Sequence, residues 1–212
     1  MIRRRPEAVS GRRPLRNRLH FSISSSEAPL NNETCPPALP GSAEKKQESR
    51  NAQKVLRLLA KRLQPLGFDR TRPTFFVRPG RVLLEFVHAH KYTFGPSFRL
   101  HLGVRLRFDK FAAQALNGPA FDGFPGSGES NDQSRFDYWA DSQAIEACAE
   151  AMARTVQTAG TKWFDAMRNP EQLLSIYRSP ATPISRDTIE LALNDQRTVV
   201  TSDETRRAFN VG

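Results

Sequence analysis

Two cysteines in 212 residues, Cys35 and Cys148, are too few and too widely spaced for a disulfide framework or a tetrahedral zinc cluster, and they fit a chain kept in a reducing cytoplasm. No run of about 18 apolar residues occurs, so no helical membrane span is expected. No apolar segment follows the arginines near the start, which argues against a secretory signal. A phosphate-cradling loop is lacking too: Gly126-Ser127-Gly128 has neither a third glycine nor a following Lys-Ser/Thr pair. Serine, histidine and aspartate sit at no spacing diagnostic of a triad, and no repeat recurs at solenoid periods. No cofactor is implied.

What the sequence has in excess is positive charge. Lys and Arg number 32 against 22 Asp and Glu, a formal net charge of +10. Much of it lies in the first eighteen residues, where Arg3, Arg4, Arg5, Arg12, Arg13, Arg16 and Arg18 face only Glu7. Such a cluster attracts polyanions, nucleic acid among them. Pro6 and Pro14 interrupt any amphipathic transit helix there. Residues 1–50, rich in Pro and Ser and poor in large apolar groups, are expected to form a disordered basic tail, because they cannot offset the entropy of ordering.

Strict alternation marks one element. Phe98, Leu100, Leu102, Val104, Leu106 and Phe108 alternate with Arg99, His101, Gly103, Arg105 and Arg107, the signature of a strand with one buried and one basic face. Such a strand belongs to an antiparallel sheet covered on one side. Strands are also expected at 74–78 and 81–90, joined through Pro79-Gly80, which completes a three-stranded meander. A helix is expected over 51–64, ended by Pro65 and Gly67. The connection 109–134 reads as a long turn-rich loop, and 135–139 as a candidate fourth strand. Asp141 reads as the N-cap of a helix to about 158, stopped by Gly160. A short helix with Trp163, Phe164 and Met167 follows, then one opened by Asn169-Pro170. Residues 179–212 read as a polar, loosely attached tail with weak helices near 186–193 and 202–209, the latter with Thr201 and Glu204 at capping-box spacing. The fold class is α+β, one domain over 51–178, with helices on one face of a three- or four-stranded antiparallel meander.

Chemistry is then a question of which side chains share a face. Placing Leu84 and Phe86 toward the core leaves Glu85 in water and sends His88 and His90 to the side of Leu100 and Leu102, away from His101, so no metal site is expected. Arg99, His101, Arg105 and Arg107 form a basic row with Glu85 as an acidic neighbour across the hairpin, a surface suited to phosphate or carboxylate. No aromatic interleaves with these arginines, which disfavours base stacking and marks nucleic acid down. Cys148 reads as a small core residue rather than a nucleophile.

The run Leu63-Gln64-Pro65-Leu66-Gly67-Phe68, the aromatic Thr74-Phe75-Phe76, the His101-Leu102-Gly103-Val104 segment and Trp139 ahead of a helix resemble the bacterial domain-of-unknown-function family 4304 over about residues 53–177. His88 and His101 depart from that family's pattern, which has Gln and Asn there. The resemblance implies the α+β fold and brings no activity, cofactor or catalytic residue with it.

The expected function is that of a cytoplasmic binding or interaction module whose basic sheet face (Arg99, His101, Arg105, Arg107, with Glu85) meets an anionic partner, either an acidic protein or a phosphorylated small molecule. One alternative is a small hydrolase-type enzyme with His101 and Glu85 as acid and base beside arginines that stabilise an anion. Another is nucleic-acid binding through the Arg-rich arm. No motif specifies an oligomeric state.

Overall fold

The computed structural model describes residues 38–93, 95–121, 136–138, 141–194 and 199–212. The expected disordered tail lies outside the described residues over 1–37, and so does the part of the 109–134 loop beyond Phe121. Helix α1 (Ala43–Leu63) begins at residue 43 rather than 51, because Ser42 caps it: its Oγ accepts the Lys45 N–H at 3.1 Å. The extra turns escaped an apolar-stripe reading since their buried member is Glu48, held by Lys45 and Lys91 at 2.9 Å each. Its end matches expectation, with Pro65 in a 3-10 turn and Gly67 left-handed at φ 82°.

Five strands follow: β1 (Asp69–Arg72), β2 (Phe75–Pro79), β3 (Leu83–Lys91), β4 (Phe98–Leu106) and β5 (Ala120–Phe121). Among the described residues they form one antiparallel sheet in sequential order. The α+β class holds. Strands β1 and β5 are additions that alternation could not reveal, since both are short edge strands held by backbone pairing. The expected strand at 135–139 enters the described residues only at 136–138, where Asp137 makes a single bridge with Ser97.

On the first face of β4, Phe98, Leu100, Leu102, Val104 and Leu106 are all at most 1% exposed. They pack beneath Val55, Leu56, Leu59 and Leu63 of α1 and Ile145, Cys148, Ala149 and Met152 of α2 (Ser142–Thr155). Gly160 does not stop that helix. The chain runs on through a π turn (Val156–Gly160) into α3 (Thr161–Ala166), and buried Gly160 lies within it, so tertiary packing overrides local propensity. Asn169 caps α4 (Pro170–Ile176) as expected, its Oδ1 accepting N–H groups of Glu171 and Gln172 at 2.9 and 3.2 Å.

The second face is not bare. Helix α5 (Arg186–Asn194) joins the first-face core through Ile189, whereas α6 (Asp203–Phe209), capped by Ser202 Oγ on the Thr205 N–H at 3.2 Å, lays Ala208 and Phe209 on Val77, Leu84 and Phe86 of the second face. Phe209 is fully buried, so the polar C-terminal stretch is tied to the sheet rather than loosely attached. The expectation of helices on one face alone is thereby corrected. No helix among the described residues is long and apolar enough to cross a membrane.

Candidate functional site

Register divides the expected site between two faces. In β3–β4 pairing, Glu85 stands opposite Val104, whereas Leu84, Phe86, His88 and His90 stand opposite Arg105, Gly103, His101 and Arg99. Residues directly opposite in an antiparallel pair share a face. Glu85 therefore lies on the core face, and the three imidazoles gather on the other, the reverse of the phase expected from sequence. Burial of Glu85 is sustained by Arg78, opposite it on β2, whose Nε donates to Oε2 at 2.5 Å, and by Arg168 at 3.5 Å. The expectation of a solvated Glu85 is thereby corrected. Phe86 gains its place because Gly103 leaves the opposite position empty, and the ring fills it.

The basic row also splits. Arg105 is 2% exposed, not solvated. Its Nε donates to Thr205 Oγ1 at 2.9 Å, Nη1 to the Ala113 carbonyl at 3.1 Å, and Nη2 to the carbonyls of Asp109 at 3.2 Å and of Phe111. Its charge is met by Asp109 Oδ2 at 3.5 Å. Asp109 in turn accepts from Tyr177 Oη and Ser179 Oγ at 2.6 Å each and Thr182 Oγ1 at 3.0 Å. Burial works to raise this carboxyl, but the Ser179 and Tyr177 bonds, the Phe111 N–H and Arg105 outweigh it and hold it below the usual range. Arg107 donates to the carbonyls of Val199 at 2.9 Å and Gly80 at 3.1 Å. Both arginines fasten the C-terminal segment to the sheet, so neither belongs to an open basic surface.

Arg99 and His101 remain where expected, at the other half of the second face, and there they meet His88 and His90. Ring centres of His88 lie 6.0 Å from those of both His90 and His101, and His90 and His101 are 6.2 Å apart. Phe75 stacks on His88 at 4.3 Å, and the Arg99 guanidinium lies 5.4 Å from the centre of the Tyr92 ring. His90 is exposed, and the other members are half-buried. Burial, with charge on His101 and His90 adding to it, pushes His88 down to about 4. Burial and the nearby Arg99 also lower His101. At neutral pH these two rings are uncharged and each offers one N–H donor and one acceptor nitrogen. Imidazoles can hold transition metals, yet among the described residues no three His, Cys, Asp or Glu side chains stand close enough to share an ion. His88 and His101 lie face to face instead of converging on a point.

The acid–base pair expected of Glu85 and His101 is thus separated by the sheet, and Arg105 is withdrawn from it. His88, His90 and Tyr92 are the members that sequence reasoning missed, although one signal was present: with a short turn after Pro79, Arg78 falls opposite Glu85 and pays its charge debt, which fixes the phase of the histidines. No family model, no curated protein and no solved structure matches this chain.

Proposed function

We propose that this chain is a cytoplasmic binding module whose second sheet face, around Arg99, His101, His90 and His88, meets an acidic protein surface. The gathering of one guanidinium and three imidazoles on the half of that face away from Phe209 carries the reading. Arg99 supplies a permanent charge and a planar donor set suited to carboxylates, while the uncharged His88 and His101 rings add hydrogen-bond donors at low desolvation cost. Tyr92 and Phe75 give the patch an apolar body of the kind interface centres use. Two cysteines, of which Cys148 is a buried free thiol, support the cytoplasmic placement. Membership of family 4304 belongs to the same proposal, supported by the helix-stop and strand motifs at Leu63–Phe68 and His101–Val104.

The test titrates the full chain with a polyglutamate peptide, and separately with inorganic pyrophosphate, at low salt. Polyglutamate binding should weaken about tenfold in an Arg99→Gln, His90→Gln variant and stay unchanged in a Lys54→Gln, Arg57→Gln variant on exposed positions of α1. Equal loss in both variants would reduce the effect to net charge and refute a dedicated face. Tighter binding of pyrophosphate than of the peptide would turn the reading to a phosphorylated small molecule.

A further inference from the structure

On the opposite face from the histidines, the β2–β3 turn, the α3–α4 turn and the end of α5 enclose a cleft of 370 Å³ lined by Arg78, Arg81, Val82, Glu85, Arg168 and Leu193, among others. That volume lies within the roughly 300–1,000 Å³ of small-molecule sites. Its charges are arranged unequally. Arg78 is fully engaged, donating to Glu85 and to the Leu66 carbonyl at 3.0 Å and lying 4.6 Å from the Phe68 ring centre. Arg168 has 61% of its side chain exposed and divides its contacts between Asp165 at 2.9 Å and Glu85 at 3.5 Å. Arg81 donates to the Leu193 carbonyl at 2.5 Å and has no acidic partner among the described residues. Among the described residues three guanidiniums therefore face two carboxylates, which leaves one positive charge in a cleft whose remaining wall, Val82 and Leu193, is apolar.

We infer that this cleft binds a small monoanionic carboxylate with an apolar body, the carboxylate held by Arg168 and Arg81 and the body against Val82 and Leu193. One surplus charge selects a monoanion, because Glu85 on the cleft floor repels a second negative charge brought nearby. Arg168 is the movable element: exposed and shared between two acids, it can turn toward a ligand while Arg78 keeps Glu85 neutralised. This site lies across the sheet from the second-face patch and shares no residue with it, so the two can be tested separately.

Benzoate is a suitable probe, with neutral benzamide as its isostere and inorganic phosphate as a second anion, each titrated into the full chain by NMR or calorimetry. Benzoate should bind, and both other probes should bind more weakly. Arg168→Gln and Arg81→Gln should each weaken benzoate about tenfold. Asp165→Asn, at a half-exposed side chain whose loss leaves the fold intact, should strengthen it about two- to fivefold by releasing Arg168. A purely structural ion-pair cluster would show no such opposite signs. Equal binding of benzamide, tighter binding of phosphate, or indifference to all three substitutions would overturn the proposal.

Discussion

Gly103→Ala tests the strand register through a single methyl group. A Cβ at residue 103 would lie 2.1 Å from Phe86 Cζ and 2.6 and 2.7 Å from the adjoining ring carbons, far inside van der Waals contact. The ring cannot easily retreat: Phe209 lies 4.9 Å and Phe75 6.0 Å from it, centre to centre, and Phe86 is fully buried. Overpacking of this kind costs about 1–3 kcal/mol, and a tilt of the ring away from Phe209 adds the loss of part of an aromatic contact worth about 1 kcal/mol. Against that stands a gain of about 0.5–1 kcal/mol from replacing a strand glycine by alanine. The net expectation is a loss of about 2–3 kcal/mol, or about 5–10 °C in Tm for a chain of this size. Urea unfolding followed by circular dichroism reads this as a lower midpoint at unchanged slope. In a Phe86→Leu background, which lacks the outer ring carbons, the same substitution should cost less than about 1 kcal/mol. A Gly103→Ala protein as stable as the parent or more so would refute the placement of Phe86 over Gly103, and with it the phase of β3.

Asp109→Ala should cost about 3–5 kcal/mol by leaving Arg105 buried without its carboxylate, whereas Tyr177→Phe, which removes one of the donors to Asp109, should cost about 1–2 kcal/mol in the same unfolding assay. Stability should also fall as pH drops from about 6.5 toward 4, because His88 stays neutral in the folded chain while the unfolded chain takes up the proton. The interval corresponds to at most about 3 kcal/mol, which solvent at the half-exposed ring reduces to about 1–2 kcal/mol. His88→Gln should flatten that part of the stability–pH curve, and an unchanged curve would contradict the burial of His88.

Much of the scaffold was legible because period and punctuation are local properties. The alternation in β4 gave its buried face residue by residue, and Pro65-Gly67 and Asn169-Pro170 marked helix ends where the structure has them. The site was less legible, because it depends on which of two phases β3 adopts, and that choice turns on partners far away in sequence. Glu85 is paired by Arg168 and Phe86 is covered by Phe209, contacts that no local pattern announces. Arg105 and Arg107 share the alternation of Arg99 and His101, yet hydrogen bonds to the C-terminal segment bury Arg105 and tie down the half-buried Arg107. Pattern places a side chain on a face; only tertiary structure determines what covers that face.

The phase of β3 is the claim on which both proposed sites depend, and NMR contacts from the His88 ring test it directly. Nuclear Overhauser cross-peaks from its Hδ2 and Hε1 protons to the rings of Phe75 and His101 are expected. Cross-peaks from those protons to the methyl groups of Leu100 and Leu102 instead would place His88 in the core with Glu85 facing water, and would contradict the account.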